Sequence, residues 1–358
     1  MRIALDSMGG DFAPASPIEG ALAALEEVPD GLEITLVGPR NLLQQELAKR
    51  GRQTDARLEI ADAEEVISMS EKAGQAVRLK RGSSLLQAIQ LHSSGQAGAI
   101  VSAGHTGAQM AASYMMLGLI EGVRRPTIGT LFPLSGGRFC FVLDVGANTD
   151  CKPVNLHQFA ILGSVFMEVL TKQTDPRVAL LSIGEEKTKG NELVTKASYL
   201  LEESGLNFIC NVEGSDIFSG RVDVVVCDGF VGNILLKFAE SVGSMVLDRV
   251  KDLCAGINAN PEAARQLQKE FDYSEIGGVP LLGINGISII CHGRSTAKAI
   301  KNAIREALTL SKANLPAALA AGMERYSVGM LARGRARLKR FQEKREQHEV
   351  GEEDSELS

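Results

Sequence analysis

Short runs of aliphatic and β-branched residues alternate along this chain with longer stretches whose apolar positions recur every three to four residues. The short runs are Arg2–Leu5, Glu33–Val37, Leu58–Ala61, Ala99–Ser102, Thr127–Phe132, Phe139–Leu143, Val178–Ser182, Asn207–Val212, Val222–Cys227 and Ile287–Cys291. Runs of this length, apolar at consecutive positions, predict strands covered on both faces. Between them the spacing predicts helices from Ser16 to Glu27, Asn41 to Arg50, Ser83 to Ser94, Ala108 to Leu117, Asn155 to Thr171, Ile234 to Leu253, Glu262 to Phe271, Ser295 to Asn314 and Pro316 to Met323. Ser16, Pro17 and Glu19 have the spacing of a capping box with proline at the first helical position. The alternation of strand and helix predicts an α/β fold with a largely parallel sheet. Thr127–Phe132 and Phe139–Leu143 interrupt it, because a short Pro-Gly loop joins them as an antiparallel hairpin. Residues 62–82 read as a polar connector and 277–286 as a loop. One α/β domain is expected over 1–330, and the charged stretch 331–358 reads as a disordered tail.

Composition narrows the class. The chain has 358 residues, 44% apolar and 23% charged, which suits a large soluble core. A net charge of −6 argues against a nucleic-acid partner. Six cysteines without CxxC spacing argue against a zinc site or a disulfide framework. The N-terminus lacks a signal-peptide apolar core, and no apolar stretch is long enough to span a bilayer. The expected location is cytoplasmic, with attachment to a membrane surface left open.

Chemistry concentrates at strand ends. Each of several strands runs into a polar, glycine-bearing turn: Asp6-Ser7-Met8-Gly9-Gly10-Asp11, Gly104-His105-Thr106-Gly107, Asp144-Val145-Gly146-Ala147-Asn148, Gly184 to Asn191 with Lys187 and Lys189, and Asp228-Gly229-Phe230-Val231-Gly232-Asn233. Ligands of open α/β sheets bind beyond the carboxyl ends of the strands. Glycine lets the backbone approach a ligand, and the following helix offers free N–H groups to an anion. A lysine at such a turn can hold phosphate as a point charge. There is no GxSxG elbow for an acyl-enzyme, no GxGxxG after the first strand for a dinucleotide, and no grouped metal ligands. No cofactor and no metal are expected.

These turns, with Ser102-Ala103-Gly104-His105-Thr106-Gly107-Ala108, Lys189-Gly190-Asn191, Lys237 and His292-Gly293, resemble in order the PlsX family of phosphate acyltransferases. The resemblance spans residues 1 to about 310. It implies a Rossmann-like α/β/α sandwich similar to the isocitrate and isopropylmalate dehydrogenases and to phosphotransacetylase, in a homodimer with a helical tip near 245–275 that touches the membrane. It implies transfer of the acyl group of acyl-acyl carrier protein to inorganic phosphate. The acyl-phosphate would feed the membrane acyl-phosphate:glycerol-3-phosphate acyltransferase, on the way to lysophosphatidic acid. Phosphate is then the nucleophile, and the protein must position it and stabilise the oxyanion.

On that basis Lys189 is expected to neutralise phosphate and oxyanion, with Asn233 and Asn148 as donors. His292 would protonate the leaving thiolate or orient phosphate. Asp6, Asp144 and Asp228 are expected to orient neighbours rather than act as bases. Gly9, Gly10, Gly104, Thr106, Gly107, Gly229, Gly232 and Lys237 complete the expected phosphate surround. His105 departs from the family's usual asparagine, so it is expected to bind rather than to act as base. The helix Ile234–Cys254 and the partner subunit are the expected acyl walls. Arg78, Lys80, Arg124, Arg125 and the Arg333–Arg345 run are candidate docking charges for the acidic carrier. Two alternatives stay open: an acyl-coenzyme A donor, and a non-catalytic membrane scaffold for lipid synthesis.

Overall fold

The structure, a computed structural model, describes residues 1–52, 55–256 and 277–326. The strands are β1 (Arg2–Asp6), β2 (Glu33–Gly38), β3 (Leu58–Asp62), β4 (Ala99–Ser102), β5 (Thr127–Leu134), β6 (Arg138–Leu143), β7 (Val178–Leu181), β8 (Phe208–Val212), β9 (Val224–Val226), β10 (Val279–Leu282) and β11 (Ser288–Ile290). They form one sheet in the order β3-β2-β1-β4-β11-β10-β5-β6-β9-β7-β8. Five strands, β3 to β11, are parallel to one another, and so are the four from β6 to β8. Between these blocks, β10 is antiparallel to both β11 and β5, and β5 is antiparallel to β6. The two parallel blocks therefore run in opposite senses, and their carboxyl ends face opposite ways.

Side-chain alternation distributes the core between the two faces. Ile3, Leu5, Phe141, Leu143, Val178 and Val224 share one cluster, which α1 (Ala15–Glu27), α6 (Pro153–Thr171), α7 (Glu192–Glu202) and the helix Ala297–Lys312 cover. Ala4, Val37 and Ile100 point the other way, against α3 (Ala73–Leu79), α4 (Ser84–Ser93) and α5 (Thr106–Leu117). Val142 and Val225 on that same side meet Leu235, Leu236 and Ala239 of α8 (Gly229–Gly256). The α/β/α layering expected from the sequence is present. Among the described helices α6 alone is long and apolar enough to cross a membrane, and it is a core helix: Phe159, Leu162 and Phe166 are fully buried. The rings of Phe166 and Phe141 lie 4.5 Å apart between centroids.

Several local expectations are corrected. Ser16 does not cap α1; the helix starts at Ala15 behind Pro14, and no side chain caps it. Proline has no N–H to leave unpaired there. α2 (Arg40–Lys49) likewise starts behind Pro39 rather than at Asn41, and Thr296, not Ser295, caps Ala297–Lys312. α8 starts at Gly229 rather than Ile234. The 62–82 connector contains α3, whose Ala76 and Val77 are buried. The 277–286 loop supplies β10, a strand that contains Pro280. Glu262–Phe271, most of the 245–275 tip, the 331–358 tail and the Arg333–Arg345 run lie outside the described residues.

Candidate active site

The strand-end turns assemble into two groups, one on each parallel block. The first gathers the ends of the neighbouring strands β1, β4 and β11. Asp6 is buried, and its carboxylate accepts the Ser102 hydroxyl at 2.7 Å and the Met8 amide at 3.2 Å. Ser102 Oγ in turn accepts the Gly104 amide at 3.0 Å. Burial raises the Asp6 pKa, opposed by these hydrogen bonds. Gly9 is packed so tightly that a Cβ there would stand 2.6 Å from the Gly104 nitrogen and 2.8 Å from Asp6 Oδ2. The Asp11 amide donates to the Gly293 carbonyl at 2.7 Å, which fastens the first turn to the β11 end. Gly10 packs on Gly293 and Ala103. His292 is exposed here, and its Nδ1 accepts the Arg294 amide at 3.1 Å.

The second group gathers the ends of β6, β9 and β7. Asp144 Oδ1 accepts the amides of Gly146 at 3.1 Å and Ala147 at 2.8 Å, while Oδ2 accepts Asn148 Nδ2 at 2.6 Å. Asp228 Oδ1 accepts the amides of Phe230 and Val231, each at 3.0 Å, which makes it the cap of α8. Gly229 donates its amide to the Asn148 carbonyl at 2.8 Å. At Gly232 any Cβ would overlap the Asp144 carbonyl oxygen, so only glycine lets α8 lie against the β6 end. Asn233, in the first turns of α8, is exposed, and its side chain packs against Gly146. Lys189 is exposed on the turn after β7 and makes no ion pair among the described residues; its neighbour Lys187 pairs with Glu202 at 2.5 Å.

The three strand-end aspartates thus share one task, folding their own turns. The Asp6 and Asp144 carboxylates are buried, whereas the side chains of Asn233 and Lys189 are exposed. Three expected ligand contacts need correction. Asn148 cannot serve as a donor to phosphate, because its Nδ2 hydrogens are committed to Asp144 and to the Pro126 carbonyl at 2.8 Å. Lys237 points along α8 and pairs with Glu240 at 2.9 Å. His105 caps α5, with Nδ1 accepting the Ala108 amide at 3.3 Å and Nε2 meeting the Glu71 carbonyl at 2.9 Å, so both ring nitrogens are engaged. Thr106 and Gly107 follow it in the first turn of α5. Among the expected docking charges, Lys80 is tied to Glu71, and Arg125 donates to the Asp150 carbonyl at 2.8 Å. Lys189 and Asn233 belong to the second group and His292 to the first, so the chain does not gather these three on one block. Sequence reasoning left Glu71 in a polar connector and read Lys80 as a docking charge; the clue to their pairing was Val66, Ile67 and Met69, apolar residues set in a polar stretch.

A family model described as "Fatty acid synthesis protein" matches residues 1–318. This chain belongs to that family. Among similar members, the phosphate acyltransferase of Heliobacterium modesticaldum is 50% identical over 328 residues, covering 89% of this chain and 96% of that protein. That of Thermodesulfovibrio yellowstonii is 46% identical over 319 residues, covering 87% and 91%. The fold of this chain is also that of the phosphotransacetylases. The Streptococcus pyogenes phosphotransacetylase superposes with a TM-score of 0.59 at 18% identity, covering 88% of this chain and 94% of that one. The EutD phosphotransacetylase of Staphylococcus aureus gives 0.56 at 15% identity, covering 87% and 94%.

Proposed function

We propose that this phosphate acyltransferase joins inorganic phosphate to the acyl group of acyl-acyl carrier protein. A phosphate oxygen attacks the thioester carbon, the oxyanion collapses, the carbon–sulfur bond breaks, and the carrier leaves as a thiolate that takes up a proton. The observation that carries this reading is the second strand-end group: an exposed Lys189 with no ion pair among the described residues, the buried Asp144 carboxylate and the exposed side chain of Asn233. That arrangement suits a dianion and a developing oxyanion, which gain from fixed donors and lose beside bare carboxylates. The test is release of free thiol from acyl-acyl carrier protein, with and without inorganic phosphate. Phosphate-dependent release with acyl-phosphate formed is the expected result. Release only from acyl-coenzyme A would change the donor, and no release from either would sink the reading.

The proposal includes a homodimer. Phe230, Ile234, Phe238 and Met245 recur on one face of α8, and each is more than half exposed. An exposed apolar stripe of this length marks an interaction surface, and a second copy of the chain is its occupant here. Sedimentation of the intact protein should give a dimer that Phe238→Glu converts to monomer. A monomeric wild type, or a dimer indifferent to that change, would remove this part of the reading.

A further inference from the structure

Residues 66–71 form a strap over the first strand-end group. The Lys80 ammonium braces it, donating to the Val66 carbonyl at 2.8 Å and to the Glu71 carboxylate at 2.7 Å. That carboxylate also accepts the Ser68 amide at 2.7 Å. At the strap's near end, the Glu65 carbonyl accepts the Ser84 amide at 3.0 Å and the Glu65 carboxylate accepts the Gly82 amide at 3.0 Å. Its far end is fastened to the strand-end loops by His105, whose Nε2–H donates to the Glu71 carbonyl at 2.9 Å while Nδ1 accepts from the Ala108 amide. One tautomer satisfies both contacts.

Beneath the strap lies a cavity of about 250 Å³. Val66, Ile67 and Met69 of the strap line it together with Met8 and Leu85, beside the polar Ser68 and His105; among the described residues no lysine or arginine lines it, and two aspartates lie on its wall. A phosphate dianion would find no cationic side chain there among the described residues. Hydrocarbon would find branched aliphatic and thioether walls, which adapt to an irregular apolar guest.

We propose that this cavity receives the tail of the donor's acyl chain, remote from the thioester carbon that meets Lys189, and that His105 is a positioning residue that holds the strap closed over it. The inference rests on the acyl-transfer reading above and moves the acyl site from the Ile234–Cys254 helix to the strap. Asparagine at 105 would still cap α5, since asparagine is among the best N-cap residues, but its shorter side chain does not reach Glu71. His105→Asn therefore removes the strap's fastening and spares the helix.

The probe is the neutral hexadecyl thioether of N-acetylcysteamine, which mimics the donor and cannot react. In the intact wild-type protein it should slow amide hydrogen exchange across 66–71, and inorganic phosphate alone should not. His105→Asn should weaken probe binding by about three- to tenfold, the worth of one hydrogen bond, at an unchanged melting temperature. Val66→Trp, which fills the cavity and leaves residue 105 as histidine, should exclude the probe. In turnover, His105→Asn should raise KM for the acyl donor by the same factor while kcat and the KM for phosphate hold. Protection of the strap by phosphate instead, wild-type probe binding by both variants, or an equal rise in both KM values would overturn the proposal. Probe binding needs no catalysis, so an inactive wild type would remove the acyltransferase reading while binding still decides the strap.

Discussion

Lys189→Ala should lower kcat/KM by about two to three decades, or about 3–4 kcal/mol of transition-state stabilisation, the usual worth of one charge-stabilising group. The expectation rests on position. β7 lies next to β9 in the sheet, so the turn carrying Lys189 adjoins the turn of Asp228 and the start of α8. That turn is held in shape: the Lys189 amide donates to the Glu186 carbonyl at 2.9 Å, and its carbonyl accepts the Ser182 hydroxyl at 3.2 Å. A Cβ at Gly184 would sit 3.0 Å from Lys189 Cγ, so the lysine stem lies along that glycine. Asn191 then caps α7, accepting the Val194 amide at 2.9 Å. The backbone is anchored on both sides while the ammonium is left without an ion pair among the described residues. Lys187 is the control, because its charge is already spent on Glu202, and Lys187→Ala should stay close to wild type. Lys189→Arg should recover part of the loss by keeping the charge without the point geometry. Near wild-type turnover in Lys189→Ala would withdraw the phosphate from this group altogether.

Much of the fold was legible because burial on both faces writes itself into consecutive apolar residues, as in Val222–Cys227 and Phe139–Leu143. What failed was local. Proline starts two helices where hydroxyl or amide caps were expected, and β10 is hidden by Gly277, Gly278 and Pro280, which ordinarily punctuate loops. The candidate site was legible as a set of turns, but not in the roles within it. A sequence shows that Asp144 and Asn148 are four apart; it does not show that they hydrogen-bond each other and so withdraw from the ligand. Likewise His105 between two glycines reads as a ligand contact, whereas the fold brings Glu71, thirty-four positions away, within reach of its ring. Nor could periodicity reveal that the middle of the sheet reverses, which separates His292 from Lys189. Strand order and direction arise from long-range pairing, and short apolar runs carry no record of their partners.

Asp144 should make the protein lose stability as pH rises from about 4 to about 6, and Asp144→Asn should remove that part of the slope. Asp144 is fully buried, and burial pushes its pKa up from the ordinary 3.8 to about 6, against the hydrogen bonds from Ala147, Asn148 and Gly146. In that window the folded protein holds a proton that the unfolded chain has released, so stability falls with increasing pH. The contribution is fully present below the unfolded value and is gone above the folded one. Two pKa units correspond to about 3 kcal/mol. Asn at 144 keeps an oxygen for the Gly146 and Ala147 amides but turns an amide group toward Asn148 Nδ2. Asn148 must then rotate and give up its bond to the Pro126 carbonyl, which lowers stability at every pH. The measurement is therefore the pH slope of the unfolding free energy from denaturant titrations, not its value at one pH. Buried Asp6 also has a raised pKa and contributes to the same slope in both proteins, so the difference between them isolates Asp144. Parallel profiles from pH 4 to 6 would mean that Asp144 is already ionised there, with its three donors compensating its burial, and the second group would then carry a fixed negative charge behind Lys189 throughout that range.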